Sequence, residues 1–123
     1  MLSITNQRLS KVGAIMAIAL TLLVQSLPIN AMPLNQTEID QKIQTIPQWQ
    51  QQKQNLVRTF KFKNFVEAVA FVNQLVEPAE AAGHHPDLTI EYNKVTISLT
   101  THDAGGLTQL DFDLAQTISE LDN

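Results

Sequence analysis

The strongest constraint on this chain is a pair of stretches that alternate with a period of two, one on each side of a helical stripe. From Leu56 onward, Leu56, Arg58, Phe60 and Phe62 fall on one side of an extended chain, and Val57, Thr59, Lys61 and Lys63 fall on the other. With Phe60 and Phe62 inward and the lysines outward, this is the pattern of a half-buried antiparallel strand. Val95, Ile97 and Leu99 alternate in the same way with Thr96, Ser98 and Thr100. Between the two, Phe65, Ala68, Val69, Val72, Leu75, Val76 and Ala79 recur every three or four residues, which predicts one helix packed by one face on the sheet. Asn64 caps that helix with help from Glu67. Pro78 removes a helical hydrogen bond and kinks it, Gly83 suits a left-handed C-cap, and Pro86 stops the helix from resuming.

The flanking segments complete the plan. Asn35 and Glu38 form a capping pair for a first helix whose apolar stripe is Ile39, Ile43 and Ile46, and Pro47 ends it. Residues 48–55, rich in glutamine around Trp49, read as a short edge strand and a turn. Leu88 to Glu91 and Lys94 to Thr100 form a hairpin around Tyr92-Asn93. Gly105-Gly106 breaks the pattern. Thr108 with Asp111 is a capping box opening a last helix, with Leu114, Ala115, Ile118 and Leu121 on its apolar side. The order α-β-β-α-β-β-α predicts a single α+β domain, a four-stranded antiparallel sheet with helices packed on one face.

The first thirty or so residues have another character. Arg8 and Lys11 precede an uncharged apolar run over residues 12–24, followed by Pro28-Ile29-Asn30-Ala31. Basic start, short apolar core and small exit residue are the order of a secretory signal, with cleavage expected after Ala31. The run is short beside the roughly 20 apolar residues of a spanning helix. Residues 1–31 are therefore read as a signal peptide, with an uncleaved membrane anchor as the alternative, and residues 32–123 as the domain. Export follows from the first reading, and membrane contact only from the second.

The domain holds all twelve acidic residues and six of the eight basic ones, a formal charge of −6. That balance argues against nucleic acid, whose phosphates call for clustered Lys and Arg. At 92 residues the domain is small enough to gain from oligomerisation. The chain has no cysteine, which excludes disulfides and thiolate-ligated metal.

All three histidines, His84, His85 and His102, lie within nineteen residues, beside Gly and Pro punctuation. Imidazole is the side chain whose ordinary pKa lets it give and take protons near neutrality. In an extended segment His84 and His85 point to opposite faces and so have different jobs. An isolated His-His is more often one core residue and one cap, but His102 follows the strand that can pair beside the segment after them and can converge on either. Acid–base work on a small ligand is the reading this favours. Three histidines also suit zinc, though adjacent neighbours cannot readily aim at one ion. No Gly-x-Ser-x-Gly or cysteine nucleophile is present. Glu80, four residues before His84, suits orienting an imidazole or binding a ligand N–H, with a solvated helix end as the alternative. Asp111 reads first as the capping partner of Thr108, and Trp49 as either a stacking surface for a flat heterocycle or core packing.

From Phe60 to Glu120 the chain resembles the pterin-4a-carbinolamine dehydratase family, also known as the dimerisation cofactor of a homeodomain transcription factor. The matching elements are Phe60-Lys-Phe-Lys-Asn-Phe65, Glu80-x-x-x-His84-His85-Pro86, Tyr92-Asn-Lys-Val95, Leu99-x-Thr-His102, Gly106-Leu-Thr108, Asp111 and Leu114-Ala115, with Trp49 similar to an upstream tryptophan of the family. The resemblance implies subunits paired through sheet and helix into homodimers or homotetramers. It also implies loss of water from 4a-hydroxytetrahydrobiopterin, giving the quinonoid dihydropterin in tetrahydrobiopterin recycling, with no metal or organic cofactor. On the same ground His84 and His102 are the acid–base pair and His85 positions the pterin. Glu80, Asp111 at the rim and Trp49 bind it. Ala81, Gly83 and Leu110 depart from the family pattern and imply altered affinity rather than lost chemistry. A non-catalytic pterin-binding or dimerisation module is the alternative function.

Overall fold

In the computed structural model, which describes residues 28–122, the two alternating stretches are the central strands of the sheet. Strand β1 spans Gln50–Gln52, β2 Asn55–Lys61, β3 Asp87–Glu91 and β4 Lys94–Leu99. They form one antiparallel sheet in the order β1-β2-β4-β3. Four helices accompany them: α1 over Gln36–Lys42, α2 over Phe65–Gln74, α3 over Val76–Ala82 and α4 over Gln109–Glu120. The predicted α+β plan holds. The apolar run read as a leader core lies outside the described residues.

The inward face of β2 and β4 builds the core. Leu56, Phe60, Val95, Ile97 and Leu99 are all buried, packed against Ala68, Phe71 and Leu75 from the helix pair and Phe112, Leu114, Ala115 and Ile118 from α4. A buried aliphatic or aromatic side chain contributes about 1.5–3 kcal/mol relative to an exposed one, so this face sets the register. A slip of one residue would turn it to solvent. The β2–β4 pairing is pinned beyond the strand end, where Asn93 Nδ2 donates to the Phe62 carbonyl (2.7 Å) and the Phe62 N–H donates to the Asn93 carbonyl (2.8 Å). The opposite face is wetter, and its Thr59 and Thr96 hydroxyls bond across the strands at 2.9 Å.

Arg58 lies on the core side of β2 and is 8% exposed, yet its charge is provided for. The guanidinium donates to Asp122 at 2.7 Å and to Ser119 at 3.2 Å, and sits 3.9 Å from the centroid of the Phe60 ring. Burial pushes its pKa down, and the Asp122 carboxylate opposes that shift.

Two predicted helices are modified. The long helix expected from Phe65 to Ala79 is two helices meeting at Leu75. Pro78 has no N–H for the carbonyl four residues back, and its ring excludes that carbonyl, so the chain breaks there and resumes with Pro78 in the first turn of α3. The break rotates the stripe: Phe71 is buried, whereas Phe65 (52%) and Val76 (59%) stand exposed. The first helix ends at Lys42 and passes into a 3₁₀ turn over Ile43–Thr45, which still delivers Ile46 to the core. Asn35 and Glu38 make the expected capping box, and the Leu34 N–H donates to the Leu107 carbonyl at 2.9 Å.

Candidate active site

The two adjacent histidines are delivered by the end of α3. Gly83 takes the left-handed conformation (φ 58°) that ends a helix, and the chain leaves α3 with the His84 N–H bonded to the Ala79 carbonyl at 3.1 Å. From there the extended backbone sends neighbouring side chains opposite ways. His84 turns inward, with 11% of its side chain exposed, and His85 turns outward, with 63% exposed.

His84 meets Asp111. Its Nε2 lies 2.6 Å from Asp111 Oδ1, and the carboxylate is wholly buried. The second oxygen, Oδ2, accepts the Thr108 N–H at 2.9 Å and the Thr101 hydroxyl at 2.8 Å. The Thr108 hydroxyl donates to Thr101 Oγ1 at 2.8 Å and itself accepts the Leu110 N–H at 3.3 Å. Every donor around Asp111 points at it, so it stands as a carboxylate and His84 Nε2 carries the proton in their shared bond. In that tautomer Nδ1 of His84 is the unprotonated ring nitrogen.

The capping box of α4 is thus present as predicted, and it is also the support of His84. This corrects the rim position implied for Asp111, which is 0% exposed behind the imidazole. Thr101 and Thr108 belong to the same network. Thr101 enters the sequence reading only within Leu99-x-Thr-His102, because nothing local ties a strand-end threonine to a helix cap seven residues later.

His102 lies next to Thr101, in a 3₁₀ turn over His102–Ala104. Gly105, at φ 72°, closes that turn, and Thr101 and Gly106 pair across it through backbone bonds of 3.2 and 3.4 Å. His102 opens onto a cleft of about 540 Å³ whose other wall is the β1–β2 turn, Lys53 to Asn55. The volume is in the range of small-molecule sites. Pairing of Leu56 with Leu99 explains the meeting, because it sets the residues before β2 beside those after β4.

His85 and Glu80 pair in the open, Nε2 to Oε1 at 2.7 Å, beside an apolar groove of about 190 Å³ lined by Val76, Ala79, Pro86 and Leu88. Glu80 therefore orients an imidazole, as one of its readings had it. An exposed pair of this kind adds little stability. No group of three or more His, Asp or Glu side chains among the described residues is placed to hold a metal ion.

Trp49 requires a correction. It is 2% exposed, its indole N–H donates to Ser119 Oγ at 2.9 Å, and its ring meets Phe60 edge-on at 6.3 Å. A side chain so enclosed is core, and it offers no face to a ligand. Trp49→Phe is expected to lower unfolding stability by about 1 kcal/mol through the lost hydrogen bond and to change nothing at the His102 cleft. Urea titration beside activity checks both, and lost activity in a folded variant would return Trp49 to the site.

Known proteins are similar to this chain. The family described as Pterin 4 alpha carbinolamine dehydratase matches residues 32–121. Curated proteins named "Putative pterin-4-alpha-carbinolamine dehydratase" are similar over about three quarters of the chain. One from Picosynechococcus sp. is 60% identical over 91 residues, which are 74% of this chain and 99% of that protein. Another from Cyanothece sp. is 62% identical over 91 residues, 94% of its length. A crystal structure of a transcriptional coactivator/pterin dehydratase from Brucella melitensis superposes with a TM-score of 0.71 at 31% identity, covering 74% of this chain and 99% of that one.

Proposed function

Since the chain belongs to the pterin-4a-carbinolamine dehydratase family, we propose that its three histidines serve the active site of a hydro-lyase that removes water from a 4a-hydroxytetrahydropterin. The C4a–O bond breaks with protonation of the departing hydroxide, and the N5–H proton leaves as the C4a–N5 double bond of the quinonoid dihydropterin forms. Water is the only other product, so an acid and a base suffice.

The observation that carries this reading is the buried Asp111 carboxylate behind His84. With Nε2 committed to Asp111, Nδ1 of His84 takes the N5 proton, and the carboxylate stabilises the positive charge the ring then acquires. His102, on the loop pinned by Thr101, gives its proton to the departing hydroxide from the cleft side. His85, held by Glu80, positions the pterin at the mouth. Positioned proton-transfer groups of this kind contribute about 10²–10⁴-fold each. The test is to express residues 32–123 and follow a freshly generated 4a-hydroxytetrahydropterin by ultraviolet absorbance. Accelerated loss of the carbinolamine is expected, and decay at the rate of buffer alone overturns the reading.

Two further parts of the reading concern assembly and place. β3 is a sheet edge whose core-side Leu88 and Ile90 remain 39% and 40% exposed, beside Val76 at 59%. An unpaired edge with an apolar flank is a template for another strand, and a second copy of the chain pairing there gives the homodimer, or with its helices the homotetramer. Export rests on the order of basic start, apolar run and small exit residue in residues 1–31. Native mass spectrometry of the protein purified from its own cells tests these two together. Chains beginning at Met32 and in even numbers are expected, and a monomer that keeps the leader overturns both.

A further inference from the structure

The β1–β2 turn is the one wall of the His102 cleft that the reaction leaves without a task. Among the described residues Lys53 is the sole fixed charge lining that cleft, and Gln54 and Asn55 beside it are hydrogen-bonding amides. Lys53 also stands in the left-handed region at φ 55°, where a long side chain is uncommon and glycine or asparagine is the usual occupant. The turn is braced there by the Gln51 side chain, whose Nε2 donates to the Lys53 carbonyl at 3.0 Å. Strain of this kind persists where the surroundings hold it and is concentrated at ligand sites. Opposite Lys53 the cleft is floored by Gly105 and Gly106, and a Cβ at either would meet nothing within 4 Å, so the space between the turn and the floor is open. A second cavity of about 220 Å³ shares Lys53, Gln54, Gly105 and Gly106 and extends the space towards Leu34 and Gln36.

We infer that Lys53 is a specificity-determining residue, and that the cleft beyond His102 takes a pterin whose side chain carries an anionic group, a phosphate or a carboxylate. This rests on the dehydratase reading and deepens it. The substituent on C6 adjoins N5, so when the reacting atoms lie at the histidines the side chain leaves the ring next to them. His102 opens onto the cleft of about 540 Å³, whose volume exceeds what a bare ring fills. In a domain of formal charge −6, an anion entering the cleft meets one ammonium on a wall otherwise made of neutral side chains and bare backbone. A neutral polyol finds only Gln54 and Asn55.

The experiment uses residues 32–123 with two oxidised, fluorescent pterins, 6-trihydroxypropylpterin and its terminal monophosphate ester, alongside the dehydration assay. At low salt the ester is expected to bind about five-fold tighter, the scale of one partly exposed charge-assisted contact, and the margin should shrink as salt rises. Lys53→Gly removes the cation and relieves the turn. It should abolish the preference and leave the Tm equal or higher. Lys53→Arg should keep the preference. Equal affinity for the two ligands in the wild type, or a preference that survives Lys53→Gly, overturns the inference while leaving the dehydratase reading intact. Discrimination in binding with no acceleration of dehydration has the opposite meaning. Failure to bind either pterin overturns both.

Discussion

His84→Ala is expected to lower kcat by about 10²–10⁴-fold, the contribution of a positioned proton-transfer group, and His102→Ala to lower it by a similar factor. The two differ in what else they disturb. His102 is exposed on a short turn, so its truncation should leave the unfolding midpoint in place. His84 donates to a carboxylate that has no solvent exposure of its own, so His84→Ala also removes a charge-assisted bond, partly replaced by water entering the vacated space. His84→Gln separates the effects. The Gln amide can donate to Asp111 and hold the stability, but it cannot carry a proton to or from the pterin. The expected result is an inactive His84→Gln more stable than the inactive His84→Ala. Wild-type turnover in any of the three sinks the acid–base assignment.

Asp111→Asn is expected to be the second most damaging change for activity, although it alters a group that never touches the pterin. An asparagine of the same shape can still accept the Thr108 N–H through its carbonyl oxygen, so the helix start survives at a cost of about 1–2 kcal/mol. Its NH₂, turned to His84, can only donate. The imidazole must then accept at Nε2 and carry its proton on Nδ1, the nitrogen that has to be free. The equivalent tautomer inversion in a serine-protease triad costs about 10⁴ in kcat, and a loss of 10² or more is expected here. Asp111→Ala instead leaves the Thr108 N–H and Thr101 hydroxyl unpaired in a buried place, and about 3–5 kcal/mol of stability should go with it. Kinetics and urea unfolding on both variants check this. An Asp111→Asn protein with full kcat would mean that the carboxylate serves the fold alone.

Much of the fold was legible because its signals are local. Period-two alternation named the inner faces of β2 and β4, and the caps at Asn35, Asn64 and Thr108 named the helix starts. The misses have physical causes. Phe71 shares the buried face of Ala68 and Leu75 at helical spacing but lies outside the stripe read from the sequence, and the break at Leu75 leaves Val76 off that face. Trp49 carried two readings that exposure alone separates. In the site, the opposite orientations of His84 and His85 follow from strand geometry and were anticipated. The pairing of His84 with Asp111 depends on α4 packing against α3, and the facing of Lys53 and His102 depends on β2 lying beside β4. Neither contact leaves a trace at fixed sequence spacing.

One carboxylate begins α4 and steadies His84, and this changes how descent in such a protein would be read. A lineage that stopped turning over pterin would be released from keeping an imidazole at 84 or 102, since both positions tolerate other side chains without unpairing a buried group from the backbone. It would not be released from the aspartate, because the first turn of α4 would still need it. In relatives of doubtful activity the aspartate is therefore a relic that survives retirement, and the histidines are the residues whose loss marks it.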